Sequence, residues 1–236
     1  VIALLLAAAL STPPSAPPDV PALRGKTSVA YTSAQFLAHY AEALVVYRTP
    51  AILTYEYTVD QTGARDIQQT HRVFRTAAAQ RDELLAVDGK KLDPPSVHIF
   101  EGRPNRYTVE ALAPRPAAYT FKYVGPVRDG HHTNAVFATT AINPGASVVR
   151  EVTIDGVSFL PVSIRFTTQA HAGSGSVTFG RVQKWWLPLK ASAQATYAKL
   201  AAEEHIVFSR YRFPASLPPG TFEKPRPLPS FRPTPY

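Results

Sequence analysis

The sequence contains no cysteine. That excludes structural disulfides, a thiolate nucleophile, cysteine-ligated zinc and a lipid-modified cysteine. It does not fix the redox compartment, since exported bacterial proteins often lack cysteine too. Methionine is absent as well, even at position 1, which suggests that the chain does not begin at a conventional start. Charged residues make up only 18%. Long apolar runs are scarce. VIALLLAAAL at residues 1–10 is wholly apolar, yet a membrane-spanning helix needs about 20 such residues. No later segment is long and apolar enough to be one.

Recognisable catalytic motifs are missing too. GSGS at 173–176 has neither the length nor the lysine of a phosphate loop. No serine stands in a nucleophile-elbow pattern. The histidines are scattered at His39, His71, His98, His131, His132, His171 and His205. Only RDGHHTN, 128–134, clusters them. His131 and His132 would point to opposite faces of a strand, which argues against a shared metal, although a turn with Asp129 could still bring them together. The adjacent acids Asp82 and Glu83, and Glu203 and Glu204, diverge on a strand in the same way. A solvated edge explains them better than an acid–base couple. The expectation is a protein that is not an enzyme and holds no cofactor and no metal.

What is present begins with size. The 236 residues, 45% hydrophobic, suit one domain of moderate size with tails. A net charge of +8 favours anionic partners without choosing among them. VIALLLAAAL followed by STPPSAPP reads as the hydrophobic part of a secretory signal, so residues 1–16 are a signal-peptide-like segment. Residues 17–31 read as a linker. Residues 214–236, PASLPPGTFEKPRPLPSFRPTPY, form a proline-rich basic tail. That leaves 32–213 as the domain.

One helix signal is strong. TSAQFLAHYAEALVVYRTP, 32–50, opens with Thr32 as N-cap and Gln35 three residues on, a capping-box pattern. Phe36, Leu37, Tyr40, Ala41, Leu44 and Tyr47 share one face. Pro50 closes the helix. After it, apolar residues alternate with period two in AILTYEYTV, QQTHRVFRT, QRDELLAVD, SVHIF, AYTFKYV, NAVFATT, SVVREVTI, LPVSIRFTT, SVTFGRV, LPLKASAQATY and EEHIVFSRYRF. That pattern predicts roughly ten or eleven strands. In SVVREVTI, Val148, Arg150, Val152 and Ile154 alternate against Val149, Glu151 and Thr153. Asp88-Gly89, Asp129-Gly130 and Asp155-Gly156 mark tight turns, and short turns mean antiparallel pairing. The fold class is mainly β with an α+β flavour. A large curved antiparallel sheet, or unclosed half-barrel, carries the amphipathic helix on its concave face.

The aromatic residues Tyr55, Tyr57, Tyr119, Phe121, Tyr123, Phe166, Trp185 and Trp186 are candidates for the lining of an apolar cavity; an ordinary sheet core is the alternative. Ala191, Ala193 and Ala195 would share one face of a strand and leave a trough beside the tryptophans. The helix could fill that trough, or an acyl chain could. Phe36, Leu37, Tyr40 and Leu44 would make the helix a lid over it.

The helix FLAHYAEALVVY leading into ILTYEYTV, the segments FLPVSIRF and WWLPLKASA, and the closing EEHIVFSRYRFPASLPPGTF together resemble the LolA/LolB-like superfamily of lipoprotein carriers. The resemblance covers most of residues 32–222 and lies in pattern and order. It implies an unclosed barrel whose concave face binds acylated or lipid-like ligands without catalysis. Lacking cysteine, the chain would not be lipid-anchored in the LolB manner, so a soluble LolA-like carrier or sensor is the better analogue. The expected partner is a lipid or acylated lipoprotein in the periplasm or cell envelope. Arg72, Arg75, Lys90 and Lys91 are candidates for contact with an anionic membrane or envelope protein. Nucleic acid is disfavoured by the export signal. The alternative is an envelope module that binds a protein or polyanion and has a fully packed core.

Overall fold

The structure, a computed structural model, describes residues 23–24, 30–63, 65–101, 107–129, 132–169, 173–197 and 200–223. The signal-peptide-like segment, most of the linker, Gly130, His131 and the tail beyond residue 223 lie outside these.

A two-residue pair, β1 (Leu23–Arg24) with β2 (Ala30–Tyr31), precedes helix α1 (Ser33–Val46). Four strands follow: β3 (Ile52–Gly63), β4 (Ile67–Thr76), β5 (Ala79–Val87) and β6 (Lys90–Glu101). A short helix α2 (Val109–Leu112), not foreseen from sequence, leads to β7 (Tyr119–Asp129), β8 (His132–Ala141) and β9 (Ser147–Ile154). The chain ends with β10 (Pro161–Thr168), β11 (Ser174–Val182), β12 (Trp185–Tyr197) and β13 (Leu200–Arg212). β3 to β13 form one 11-stranded sheet in the order β6-β5-β4-β3-β13-β12-β11-β10-β9-β8-β7, antiparallel throughout. It is an unclosed half-barrel with β6 and β7 as its edges.

The order has a physical consequence. Every connection joins neighbours except the one from β6 to β7, which must travel from one edge of the sheet to the other. That crossover, residues 102–118, carries α2. Val109 and Leu112 belong to the same buried core as α1, so the crossover and α1 cover the same face. Both edge strands contain proline (Pro94 and Pro95 in β6, Pro126 in β7), and β6 opens on Lys90 and Lys91. Proline and lysine on an edge oppose pairing with a second sheet.

Bulges keep one face apolar where simple alternation would not. Phe166 pairs with Val149 and Ile164 with Val152, with a register shift between Arg165 and Phe166. Val149, Val152 and Ile154 therefore enter one core, and the alternation expected for SVVREVTI is broken at Arg150. In β12 the shift skips Leu189, so Trp186 and Ala191 face the same core although they stand five positions apart. One extra residue in a bulge exchanges the faces of everything beyond it. The Asp88-Gly89 turn is as expected, with positive φ at both residues (48° and 73°).

Helix α1 begins at its capping box. The Thr32 hydroxyl accepts from Gln35 N–H at 3.2 Å, and Thr32 N–H donates to Gln35 Oε1 at 3.0 Å. Replacing Thr32 with alanine should cost about 1 kcal/mol in denaturant melts, because Gln35 N–H loses its acceptor. The helix stops at Val46, earlier than Pro50 alone would require. Tyr47 is already extended, and its hydroxyl donates to the Trp186 carbonyl. The Arg48 guanidinium meanwhile satisfies the Val45 and Tyr47 carbonyls at 2.5 and 2.6 Å. A tertiary anchor, not proline, ends the helix.

Candidate functional site

The concave face carries two aromatic clusters. The first lies under α1. Phe137, 0% exposed, packs against Phe36, Phe121 and Tyr123 with ring centroids 6.0, 6.2 and 5.5 Å away. Tyr40, also 0% exposed, meets Phe121 at 6.0 Å and donates its hydroxyl to the Pro114 carbonyl at 2.9 Å. Tyr119 accepts from Val149 N–H at 3.3 Å. Phe36, Tyr40 and Leu44 are buried and Leu37 partly so, and all four pack into this core. The helix is latched to the crossover as well: Thr49 donates its N–H, at 2.6 Å, and its hydroxyl to Glu110 Oε1.

The second cluster lies over β3, β4 and β13. Tyr55 neighbours Tyr57, Phe208 and Tyr211 at 6.3, 6.0 and 5.3 Å, and Tyr107 from the crossover meets Phe208 at 5.7 Å. These four tyrosines remain partly exposed. Burial pushes the Tyr55, Tyr57 and Tyr211 hydroxyls well above the ordinary range, and the Asp82 carboxylate adds to this at Tyr57. Tyr57 stacks on His71 at 4.5 Å with 10° between the planes. It donates its hydroxyl to Asp82 Oδ2 at 2.7 Å, while His71 Nδ1 donates to Asp82 Oδ1 at 2.8 Å. The carboxylate thus holds two aromatic rings in register.

The expected solvated edge at Asp82 and Glu83 is therefore incorrect. β5 has neighbours on both sides, Asp82 faces inward and Glu83 pairs with Arg81 at 2.7 Å. Glu204 is likewise only 5% exposed, because β13 lies in the middle of the sheet. Arg75, expected on a basic surface, is 8% exposed and shares the inner face with His71 and Val73. Arg72 is on the outer face, paired with Glu56 at 3.1 Å. Lys90 and Lys91 are exposed on edge strand β6.

The tryptophans part company. Trp186 packs on the core and donates Nε1–H to the Pro161 carbonyl at 2.7 Å. Trp185 points to the other side, its ring 6.2 Å from Phe213 and 5.1 Å from Lys184 Nζ. Ala191, Ala193 and Ala195 share the inner face; Ala191 and Ala195 are buried and Ala193 partly so. The trough beside them is partly filled by the protein itself. A Cβ on Gly175, the neighbour of Ala193 across the ladder, would lie 2.7 Å from Phe166 Cζ, so the Phe166 ring rests over that glycine.

Sequence reasoning missed His71, Arg75, Asp82, Tyr107, Phe208 and Tyr211 as a group. The signal for them was the inward alternation His71, Val73, Arg75, whose polar members read as solvent-facing. No group of histidine and acidic residues suited to a metal exists among the described residues.

No protein-family model and no curated protein matches the chain. The solved structures similar to it include the following three. A LolA superfamily protein from Nitrosomonas europaea has 10% identity and a TM-score of 0.46, over 83% of this chain and 99% of that one. A DUF1329 family protein from Desulfovibrio piger has 8% identity and a TM-score of 0.47, over 79% and 96%. A putative outer membrane lipoprotein-sorting protein domain from Vibrio parahaemolyticus has 10% identity and a TM-score of 0.44, over 79% and 95%. The expected unclosed antiparallel half-barrel is met by the sheet itself; cargo and partner have to be argued from the residues.

Proposed function

We propose that the chain is a non-catalytic carrier or sensor that binds a lipid-like ligand, an acyl chain in chemical terms, on the concave face. One observation carries this reading. On the same face where α1 seals one aromatic cluster, the second cluster of Tyr55, Tyr57, Tyr107 and Tyr211 keeps partial solvent access. An apolar wall of this kind gains about 0.8 kcal/mol for each methylene it buries, so a chain of ordinary length would outweigh its ordering cost. The His71–Asp82–Tyr57 network spends its polar atoms on itself, which favours a supporting role over catalysis. The α1 helix and the crossover, latched by Thr49–Glu110 and Tyr40–Pro114, would move together as the cover.

The reading extends to an exported protein of the periplasm or cell envelope that takes acylated lipoprotein or free lipid, on the strength of the signal-peptide-like segment. No helix among the described residues is long and apolar enough to cross a membrane.

Native mass spectrometry with lipid extraction tests the reading. The protein purified from an exporting host should carry an acyl lipid or lipopeptide. Tyr107→Asp, which puts a charge on the partly exposed cluster, should lose most of it while remaining folded. An empty protein that also refuses fluorescent fatty-acid probes would overturn the reading. Salt-sensitive polyanion binding by that empty protein would instead favour a packed envelope-binding module.

A further inference from the structure

Arg75 is a charge in the wrong place for a purely structural residue. It is 8% exposed, on β4, and faces the concave side. A guanidinium stays protonated in proteins and presents five N–H donors. Burying it is costly unless a counter-charge or acceptors meet it. Among the described residues no side-chain hydrogen bond or ion pair meets the guanidinium, whose nitrogens are not sealed from solvent. Asp82 serves His71 and Tyr57, while Glu110 gives Oε1 to Thr49 and keeps Oε2 buried without a hydrogen-bond partner.

The groups around it are tyrosines. Tyr55 pairs with Val73 and Leu53 with Arg75, so Tyr55 and Arg75 are diagonal neighbours on the inner face of β3 and β4; the guanidinium also favours the ionised forms of Tyr47, Tyr55 and Tyr211. Tyr47 donates to Trp186 and Tyr211 to the Pro188 carbonyl at 2.6 Å. The Tyr55 hydroxyl has no hydrogen-bond partner among the described residues. One cation and one hydroxyl donor thus stand uncommitted on the same face, at the border of the partly exposed aromatic cluster.

We propose that Arg75 and Tyr55 form an oxyanion subsite that receives the head group of an anionic amphiphile, a carboxylate or phosphate monoester. The hydrocarbon part lies along Tyr57, Phe208 and Tyr107. The guanidinium fork matches both oxyanions in bidentate geometry, and the phenol supplies a third donor. This inference rests on the acyl-binding reading above and names its ligand class.

Calorimetric titration of the folded protein with dodecanoate, dodecyl phosphate, dodecanol and inorganic phosphate tests it. Wild type should bind at least one of the two anions about tenfold more tightly than the alcohol of equal chain length, as one charge-assisted contact supplies. The preferred anion identifies the head group. Arg75→Leu should erase that preference; Arg75→Lys should retain part of it. Because Arg75 lacks a partner, Arg75→Leu should melt no lower than wild type, whereas a structural arginine would destabilise when removed. Equal binding of anions and alcohol, or a preference that survives Arg75→Leu, overturns the subsite. Phosphate binding alone, lost in Arg75→Leu, keeps the subsite and overturns the acyl-chain reading. No binding of any probe overturns both.

Discussion

Above pH 10 the protein should unfold steeply. Burial raises the hydroxyl groups of Tyr40, Tyr47, Tyr55, Tyr57 and Tyr211 above their ordinary values. An unfolded tyrosine titrates near pH 10. Between that point and the raised values, the folded state holds protons that the unfolded state has lost. Stability is therefore fully present below about pH 10 and falls as pH rises. Each such tyrosine contributes a slope of up to about 1.4 kcal/mol per pH unit. Several acting together remove a typical stability of about 5–15 kcal/mol within roughly two units. Tyrosinate absorbance and far-UV circular dichroism should change in one coincident transition. A gradual tyrosinate titration with the sheet signal intact would show that these hydroxyls are not shielded from water.

Phe137→Ala should be the most damaging single truncation in the helix-covered cluster. Phe137 is fully buried and touches rings from α1 and β7 at once. Loss of a buried phenylalanine costs about 3–5 kcal/mol, the transfer loss plus the cavity left behind. The denaturant midpoint should fall accordingly, and hydrogen exchange in α1 should accelerate as its seat is lost. Val207→Ala, on the opposite face at 42% exposure, should change stability by less than about 0.5 kcal/mol. Equal effects at the two positions would contradict the assignment of inner and outer faces.

Most of the fold was written in short-range pattern. Thr32 and Gln35 sit close enough to show their capping box directly, and the period-two segments correspond to the strands that form the sheet. What stayed hidden depends on partners far away in sequence. Nothing local distinguishes Arg150 or Leu189 as bulge residues, yet each reverses the faces of its strand beyond it. Asp82 reads as a surface acid until the sheet order places β5 inside and brings His71 and Tyr57 to it. The crossover from β6 to β7 shows no periodicity, because its position is set by the need to reach the far edge of the sheet. The tryptophan pair suggested one lining surface, but neighbours on a strand must point apart, and only Trp186 turns inward. The alanine strip made a trough visible, whereas the Phe166 ring that rests in it arrives from a different strand.

The most direct measurement is photo-crosslinking with a fatty acid that carries a diazirine near its methyl end, followed by peptide mapping. The expected result is labelling confined to the concave face: β3 around Tyr55 and Tyr57, β13 around Phe208, and the segment around Tyr107. Labelling of exposed apolar residues elsewhere, Val45 and Val46 on the outer side of α1 or Leu189 and Val207 on the outer side of the sheet, would contradict a concave-face ligand site. So would a folded protein that takes no label at all.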